Sequence, residues 1–389
     1  MSTYNVIHAD CLTAFRDMPD ASVDAVVTDP PYGLSNTTPT QVAGTITRWA
    51  SGDREYLPSA RGFMGHGWDG FVPPVAVWDE CLRVLKPGGH LLAFAGSRTQ
   101  DLMGLAVRLA GFEIRDSIAW LHAQGFPKAK SQLKPAHEPI ILARKPPKGS
   151  IAANVLEHGT GALNIDGCRV GMSDADRAVV DSRSGGRAEP ADGTFLGGIG
   201  QRDGLFKSAP GGRWPANVVL DEPQAAELDR QSGNVKTGAT KPHRRDPDSS
   251  PMFKVGKWMT HSQPASEGGA SRFFKVIEHD APFMYCAKAP KSERPVVDGV
   301  AHSTVKPVTL MRWLVRMVTP PGGTVLDPFA GSGTTLEAAM LEGFNVIGVE
   351  READYLPLIQ ARIERATATL AAQAEADADT LFPIDGAAS

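Results

Sequence analysis

Short apolar runs alternate with stretches of helical spacing over the first 145 residues and again towards the C-terminal end. Val6–Asp10 reads as a strand ending in an acid, and Cys11–Met18 as a brief helix. Val23–Thr28 is an apolar run of the kind a strand shows when both of its faces are covered. Leu34–Gly70 is rich in Gly, Thr and Ser without clear periodicity and reads as loop. Pro74–Leu85 has helical spacing with proline near its start. Lys86–Gly89 reads as a turn and His90–Ala95 as a strand. Arg98–Ala110 reads as a helix that Ser97 caps and Gly111 closes. Phe112–Leu121 and Glu138–Ala143 read as further strands. This alternation predicts a largely parallel sheet with helices on both faces.

From about Lys145 the pattern changes. Residues 146–270 are dense in Gly, Pro, Ser, Asp and Arg and hold only short apolar runs such as Trp214–Leu220. A second module or a large irregular insertion fits this stretch. Regular structure resumes at Pro282–Ala287. A helix over Lys306–Val318, a strand over Thr324–Leu326, a helix over Thr334–Glu342, a strand over Phe344–Val349 and a helix over Glu352–Ala366 follow. The division expected is 1–145, an insertion 146–270, 271–366, and an acidic, Ala-rich, flexible tail 367–389.

The 389 residues carry a net charge of −4, so no global charge announces a polyanion. That total hides an uneven distribution. Lys128, Lys130, Lys134, Arg144, Lys145 and Lys148 stand against Glu138 alone in 120–150, while Glu375, Asp377, Asp379 and Asp385 lie in a stretch without Lys or Arg. Cys11, Cys81, Cys168 and Cys286 are far apart, with no CxxC pair, so neither a structural zinc site nor a disulfide framework is read, and no metal is expected. With no signal peptide and no apolar run of membrane-spanning length, an intracellular, cytoplasmic protein without membrane partners is expected.

Two stretches carry the chemistry. The first is Asp29-Pro30-Pro31-Tyr32-Gly33, directly after the strand Val23–Thr28. Consecutive prolines cannot continue a central strand, so the chain leaves the sheet here. A carboxylate, carbonyls and an aromatic ring are thereby placed at the carboxyl edge, where open α/β sheets bind ligands. Asp29 and a proline carbonyl can accept both protons of an exocyclic amino group, and Tyr32 can stack on a ring. The alternative is a Pro-rich turn in which Tyr32 only packs. The second stretch is Asp327-Pro328-Phe329-Ala330-Gly331-Ser332-Gly333-Thr334-Thr335. A P-loop needs lysine where Thr334 stands, and a dinucleotide fingerprint needs a glycine where Leu336 stands. What remains is a glycine loop that lets a ligand approach the backbone closely. Asn345–Glu350 then ends in an acid placed to hold ribose hydroxyls. A nucleoside bearing a cationic group fits two such acids, and S-adenosylmethionine is one.

DPPYG at 29–33 and DPFAGSGTT at 327–335 resemble the catalytic and cofactor motifs of the amino-group DNA methyltransferases, in the permuted order of the β class. His302-Ser303-Thr304-Val305-Lys306-Pro307 resembles that family's HxTxKP segment. Gly159–Asn164 and Gly212–Asn217 are similar to stretches of phage and prophage-like enzymes. The resemblance implies a Rossmann-like, S-adenosylmethionine-dependent methyltransferase fold: α/β, a seven-stranded, mostly parallel sheet with one antiparallel edge strand, and an inserted target-recognition region. It implies site-specific methylation of adenine N6 in double-stranded DNA with base flipping. Asp29, Pro30, Pro31 and Tyr32 would act on the base. Asp327, Phe329, Gly331, Gly333 and Thr334 would form the cofactor loop, with Glu350 on the ribose, Asp10 and Cys11 near the adenine, and Thr304 and Lys306 near the methionine carboxylate. Arg187, Arg202, Arg213, Lys241, Arg244, Arg245, Lys254 and Lys257 could contact DNA phosphates or bases, the alternative for each being a solvated surface charge; the clustering of Lys241, Arg244 and Arg245 beside His243 favours contact. Trp68-Asp69, Trp120 and Phe126-Pro127-Lys128 would frame the flipped base, unless Trp120 is core. A homodimer is compatible with the class, and a cognate endonuclease is not specified. Cytosine-N4 methylation is the nearest alternative, and Asp rather than Ser at position 29 favours adenine. RNA or protein methylation, or a non-catalytic DNA-binding role, fits the motif order and the intact residues less well.

Overall fold

The protein is described here from a computed structural model covering residues 2–60, 62, 67–122, 133, 135–171, 174, 212–233, 235–237, 266–268, 275–277, 293–302 and 304–381. The chain divides into two compact units, Met1–Asn164 with Asn217–Glu222 and Ile277–Ser389, and Ile165–Ala216 with Pro223–Val276. Residues 146–164, read from sequence as the start of the insertion, thus pack with the larger unit.

The larger unit is built on β1 (Tyr4–His8), β2 (Val23–Thr28), β3 (Leu85–Phe94), β4 (Glu113–Leu121), β5 (His137–Arg144), β6 (Val218–Asp221), β7 (Thr324–Asp327) and β8 (Asn345–Glu350). They lie in the order β1-β8-β7-β2-β3-β5-β4-β6, so at least eight strands share the sheet where seven were expected. All neighbours are parallel except β5, which runs antiparallel to both β3 and β4. The antiparallel strand is therefore interior, not at the edge as expected, because β4 and then the short β6 lie outside it. Strands from the two ends of the chain meet in the middle, where β7 pairs with β2 at Val325↔Ala25 and Leu326↔Val26.

Every residue of β2 is buried, as the apolar run requires. Side chains of β3 alternate between the layers. Leu91 and Ala93 join a core cluster with Cys11, Ala14 and Phe15 of α1 (Cys11–Phe15), and with Trp78 and Cys81 of α3 (Val75–Val84). Met103 and Val107 of α4 (Gln100–Leu109) complete it. Leu92 and Phe94 are as buried but lie outside that cluster. On the other face α6 (Val308–Val318) packs on α7 (Thr334–Leu341), which packs on α8 (Leu356–Leu381). Burying a side chain such as Trp78 or Leu314 stabilises by roughly 1.5–3 kcal/mol each.

Four local readings change. Leu34–Gly70 contains a helix, α2 (Pro39–Ala50), started by a capping box between Thr38 and Gln41 with Pro39 in its first turn. The stretch after Lys145 contains α5 (Ile151–His158), capped by Ser150 and closed by left-handed Gly159. Lys86–Gly89 is a bulge inside β3: Val23 pairs with Leu85, and Ala25 already pairs with His90. Asn154 Nδ2 and Thr160 Oγ1 of the larger unit donate to the Pro87 carbonyl and fix that bulge. The C-terminal helix runs on to Leu381, well into the stretch read as a flexible tail. No helix among the described residues is long and apolar enough to cross a membrane. Pro282–Ala287 lies outside the described residues.

Within the smaller unit, Val235–Thr237 and Ser266–Gly268 form an antiparallel pair. Val170 bridges Arg213, and the Arg169 guanidinium stands 5.7 Å from the centroid of the Trp214 ring, which is exposed.

Candidate active site

The first half of the site is the exit from β2. Pro30 and Pro31 end the pairing, and Gly33 turns the chain at φ +66°. A Cβ on Gly33 would stand 2.7 Å from the Val72 amide nitrogen, so the loop can pass here only as glycine. The Gly33 amide donates to Asp69 Oδ1 at 3.0 Å, and Thr99 Oγ1 donates to the Tyr32 carbonyl at 2.6 Å. These bonds pin the turn from both sides.

Within it, Asp29 and Tyr32 converge on two groups from distant segments. Lys306 Nζ donates to Asp29 Oδ2 at 2.6 Å and stands 3.4 Å from Glu138 Oε2. The Tyr32 hydroxyl donates to the same Glu138 oxygen at 2.8 Å. Lys306 Nζ also lies 5.2 Å from the Tyr32 ring centroid and 4.9 Å from that of Phe94, within cation–π reach. Lys306 is buried, which alone would lower its pKa, but Asp29 and Glu138 outweigh burial and hold it above the ordinary lysine value. Burial alone would raise Glu138, but Lys306 and the Tyr32 hydroxyl keep it below the usual carboxylate value. Burial, together with the Asp29 and Glu138 charges, pushes the Tyr32 phenol well up. The set therefore holds a protonated amine between two carboxylates, with a neutral phenol. Asp29 Oδ1 is buried and has no hydrogen-bond partner.

The second half begins one strand away. Thr28 Oγ1 donates to Asp327 Oδ1 at 2.7 Å, which ties the ends of β2 and β7 together. Asp327 also accepts from the Phe329 amide at 3.1 Å. Burial raises its carboxyl to about 6, against the hydrogen bonds from Thr335, Thr28 and Phe329. The loop that follows turns twice in the left-handed region, at Gly331 (φ +52°) and Gly333 (φ +83°). A Cβ on Gly331 would meet the His302 ring at 3.2 Å, and one on Gly333 would meet Ile359 Cα at 3.1 Å. The Gly331 amide donates to Glu350 Oε2 at 2.6 Å and the Glu352 amide to Oε1 at 2.8 Å. Burial raises the Glu350 carboxyl. Thr334 opens α7, with Oγ1 3.4 Å from Ser332 Oγ.

The remaining residues expected here fall out as follows. Pro30 is buried, Pro31 half-buried, and Phe329 packs against the main core. Asp10 caps α1 by accepting from the Leu12 amide. Cys11 is core, its thiol pushed up to about 12 by burial. Thr304 is exposed and its amide donates to His302 Nδ1 at 3.2 Å. Lys306, expected beside a methionine carboxylate, has its ammonium on Asp29. Trp120 is fully buried in the sheet, edge-on to Phe94. Arg187, Arg202, Lys241, His243, Arg244, Arg245, Lys254, Lys257 and Phe126-Pro127-Lys128 lie outside the described residues. Glu138 was not singled out from sequence. It opens β5 in His137-Glu138-Pro139, where only an acid ahead of an apolar run could have flagged it. His302, whose ring packs at 4.6 Å on Tyr355 and shields Gly331, was likewise noted only as part of its motif.

A family model described as DNA methylase, covering N6 and N4 methyltransferases, matches residues 23–361. The chain is 22% identical over 362 residues to the DNA adenine methyltransferase YhdJ of Escherichia coli K12, covering 93% of this chain and 83% of that protein. Among solved structures it resembles a putative DNA modification methylase from Thermus thermophilus complexed with S-adenosyl-L-methionine. That match has 18% identity and a TM-score of 0.42, and covers 94% of this chain and 96% of the other. It also resembles the cytosine-N4-specific PvuII DNA methyltransferase, at 14% identity and a TM-score of 0.45, covering 95% and 91%.

Proposed function

This chain belongs to the N6/N4 DNA methylase family and is an S-adenosylmethionine-dependent DNA methyltransferase, and we propose that its target is the N6 amino group of adenine in double-stranded DNA. The observation that carries the adenine reading is Asp29 at the first position of the DPPY stretch, with Oδ1 buried and unpartnered. The adenine methyltransferase named above, similar over nearly the whole chain, supports it.

The residues of the second half fit the cofactor. Gly331 and Gly333 let the loop turn in the left-handed region while passing close against His302 and Ile359, where a Cβ would crowd. Asp327 and Glu350 offer carboxylates to a ligand that carries a sulfonium charge and a ribose. Asp327, Phe329, Gly331, Gly333 and Thr334 would line it, Glu350 would hold the ribose hydroxyls, and Asp10 would lie towards its adenine. When bound, S-adenosylmethionine supplies an electrophilic methyl group.

The chain's own task is to make a poor nucleophile react. The lone pair of an aromatic amino group is delocalised into the ring. Asp29 Oδ1 and the Pro30 carbonyl would accept the two amino protons and draw the nitrogen towards tetrahedral geometry, which localises the lone pair. Positioning and electrostatics suffice, with no covalent intermediate. The amino group is out of reach in a duplex, so the base would be flipped, with Tyr32 against its ring. The smaller unit, with Arg213 and the Arg169–Trp214 pair, would contribute to target recognition. The test is nucleoside analysis by mass spectrometry of unmethylated genomic DNA after incubation with the protein and S-adenosylmethionine. N6-methyladenine is expected, and N4-methylcytosine alone would overturn the reading.

A further inference from the structure

Glu138 has no role in the reading above, and Lys306, expected near the methionine carboxylate, has its ammonium on Asp29; the two occupy the centre of the acceptor half. Lys306 is 7% exposed and lies between two carboxylates and two aromatic rings. A buried ammonium is tolerated only when its partners are close, and one without them would cost several kcal/mol. Glu138 serves two groups with one oxygen, accepting from the Tyr32 hydroxyl and lying beside Lys306. The two side chains reach the site from segments far apart in sequence, β5 and the loop before α6.

We infer that Lys306 and Glu138 are positioning residues of methyl transfer: Lys306 holds Asp29 by Oδ2 so that Oδ1 alone faces the target amino group, and Glu138 sets Lys306 and Tyr32 against each other. This rests on the reading of Asp29 as the acceptor of an amino proton. The bond at Oδ2 restrains the rotation of the carboxylate, and Oδ1 stands without a partner. Two carboxylates around one ammonium leave an excess of negative charge. Methyl transfer moves positive charge from sulfur to the amino nitrogen, so this excess favours the transition state over the ground state. The bond from sulfur to methyl breaks as the bond from nitrogen to methyl forms, and the nitrogen then sheds one proton to solvent. Lys306 and Glu138 end the cycle in their starting protonation states. The same arrangement keeps the Lys306 ammonium off the methionine carboxylate.

The test is steady-state methylation of DNA together with calorimetric S-adenosylmethionine binding, on Lys306→Met, Glu138→Gln, Tyr32→Phe and Asp29→Ala. Lys306→Met is expected to lower kcat by about a hundredfold while the Kd for S-adenosylmethionine stays within about threefold, since less than 1 kcal/mol would be lost there. Glu138→Gln is expected to lower kcat by about tenfold, the worth of a hydrogen bond to a charged group. A rise of about a hundredfold in that Kd for Lys306→Met, with kcat at saturation unchanged, would place Lys306 on the methionine carboxylate and overturn the inference. Should Lys306→Met not fold, the near-isosteric pair decides. The double variant Tyr32→Phe with Glu138→Gln is expected to be no worse than its worse parent, and multiplied losses would overturn the shared role. Asp29→Ala separates the two levels. Transfer retained in Asp29→Ala sinks the acceptor reading itself. An inactive Asp29→Ala beside fully active Lys306→Met and Glu138→Gln sinks only the inference made here.

Discussion

At the scale of single residues, the acids that end apolar strands were the legible part of the site. Asp29, Asp327 and Glu350 each close such a run, and a parallel sheet brings strand ends of one direction to one edge. Lys306 and Glu138 were not legible in the same way. Where a long side chain delivers its charge depends on which segments pass beside it, and no spacing in the chain records that β5 does. Asp327 shows what burial adds to a residue that was legible. Its carboxyl is raised from 3.8 to about 6 by burial, so the folded state holds that proton more tightly than the unfolded chain does. Its contribution to stability is therefore full below pH 4, is lost as pH rises to about 6, and is flat beyond. Asp327→Asn should remove most of this pH dependence, about 2 kcal/mol between pH 4.5 and pH 7, measured by urea unfolding at those two values. A cationic cofactor favours the ionised form. Wild-type affinity for S-adenosylmethionine should therefore rise between pH 5 and pH 7 with release of a proton, and Asp327→Asn should flatten that rise in calorimetry.

At the scale of elements, the strands and helices that flank the site follow from periodicity, most ends moving by a residue or two, while β3 begins at Leu85 rather than His90 and α8 spans Leu356–Leu381 rather than Glu352–Ala366. The helix α2 was missed although its start is written in Thr38-Pro39-Thr40-Gln41. Its inward face is Val42, Thr45, Ile46 and Trp49, at helical spacing, but the Gly, Thr and Ser around these four positions hide the period. The β3 bulge was missed because a Pro-Gly-Gly turn looks the same whether it ends a strand or interrupts one. What distinguishes the two is Asn154, far along the chain, which donates to Pro87. The turn after β2 carries a sharper test. Gly33 and Gly52 both adopt left-handed backbone, but a Cβ would meet the backbone of Phe71 and Val72 at the first and nothing within 4 Å at the second. Gly52→Ala should cost about 1–2 kcal/mol, the conformational term alone. Gly33→Ala should cost more and displace Asp29 with it. Urea unfolding compares the stabilities, and kcat should fall in Gly33→Ala only.

At the scale of the molecule, the permuted order has an energetic consequence. Asp29 and Asp327 lie at opposite ends of the sequence, yet β2 and β7 pair directly and Thr28 bonds to Asp327. The cofactor half therefore cannot complete its loop without the N-terminal half in place. If the larger unit opens as one, S-adenosylmethionine at about a hundred times its Kd should slow exchange of the most protected amides by about 2.7 kcal/mol. The increment should be the same in Val23–Thr28 as in Thr324–Asp327, although the proposed contacts to the cofactor lie mainly in the second half of the chain. Native-state hydrogen exchange resolves the two strands. Protection gained in Thr324–Asp327 but not in Val23–Thr28 would mean that the halves open independently. The acceptor residues would then not be held ready by the cofactor.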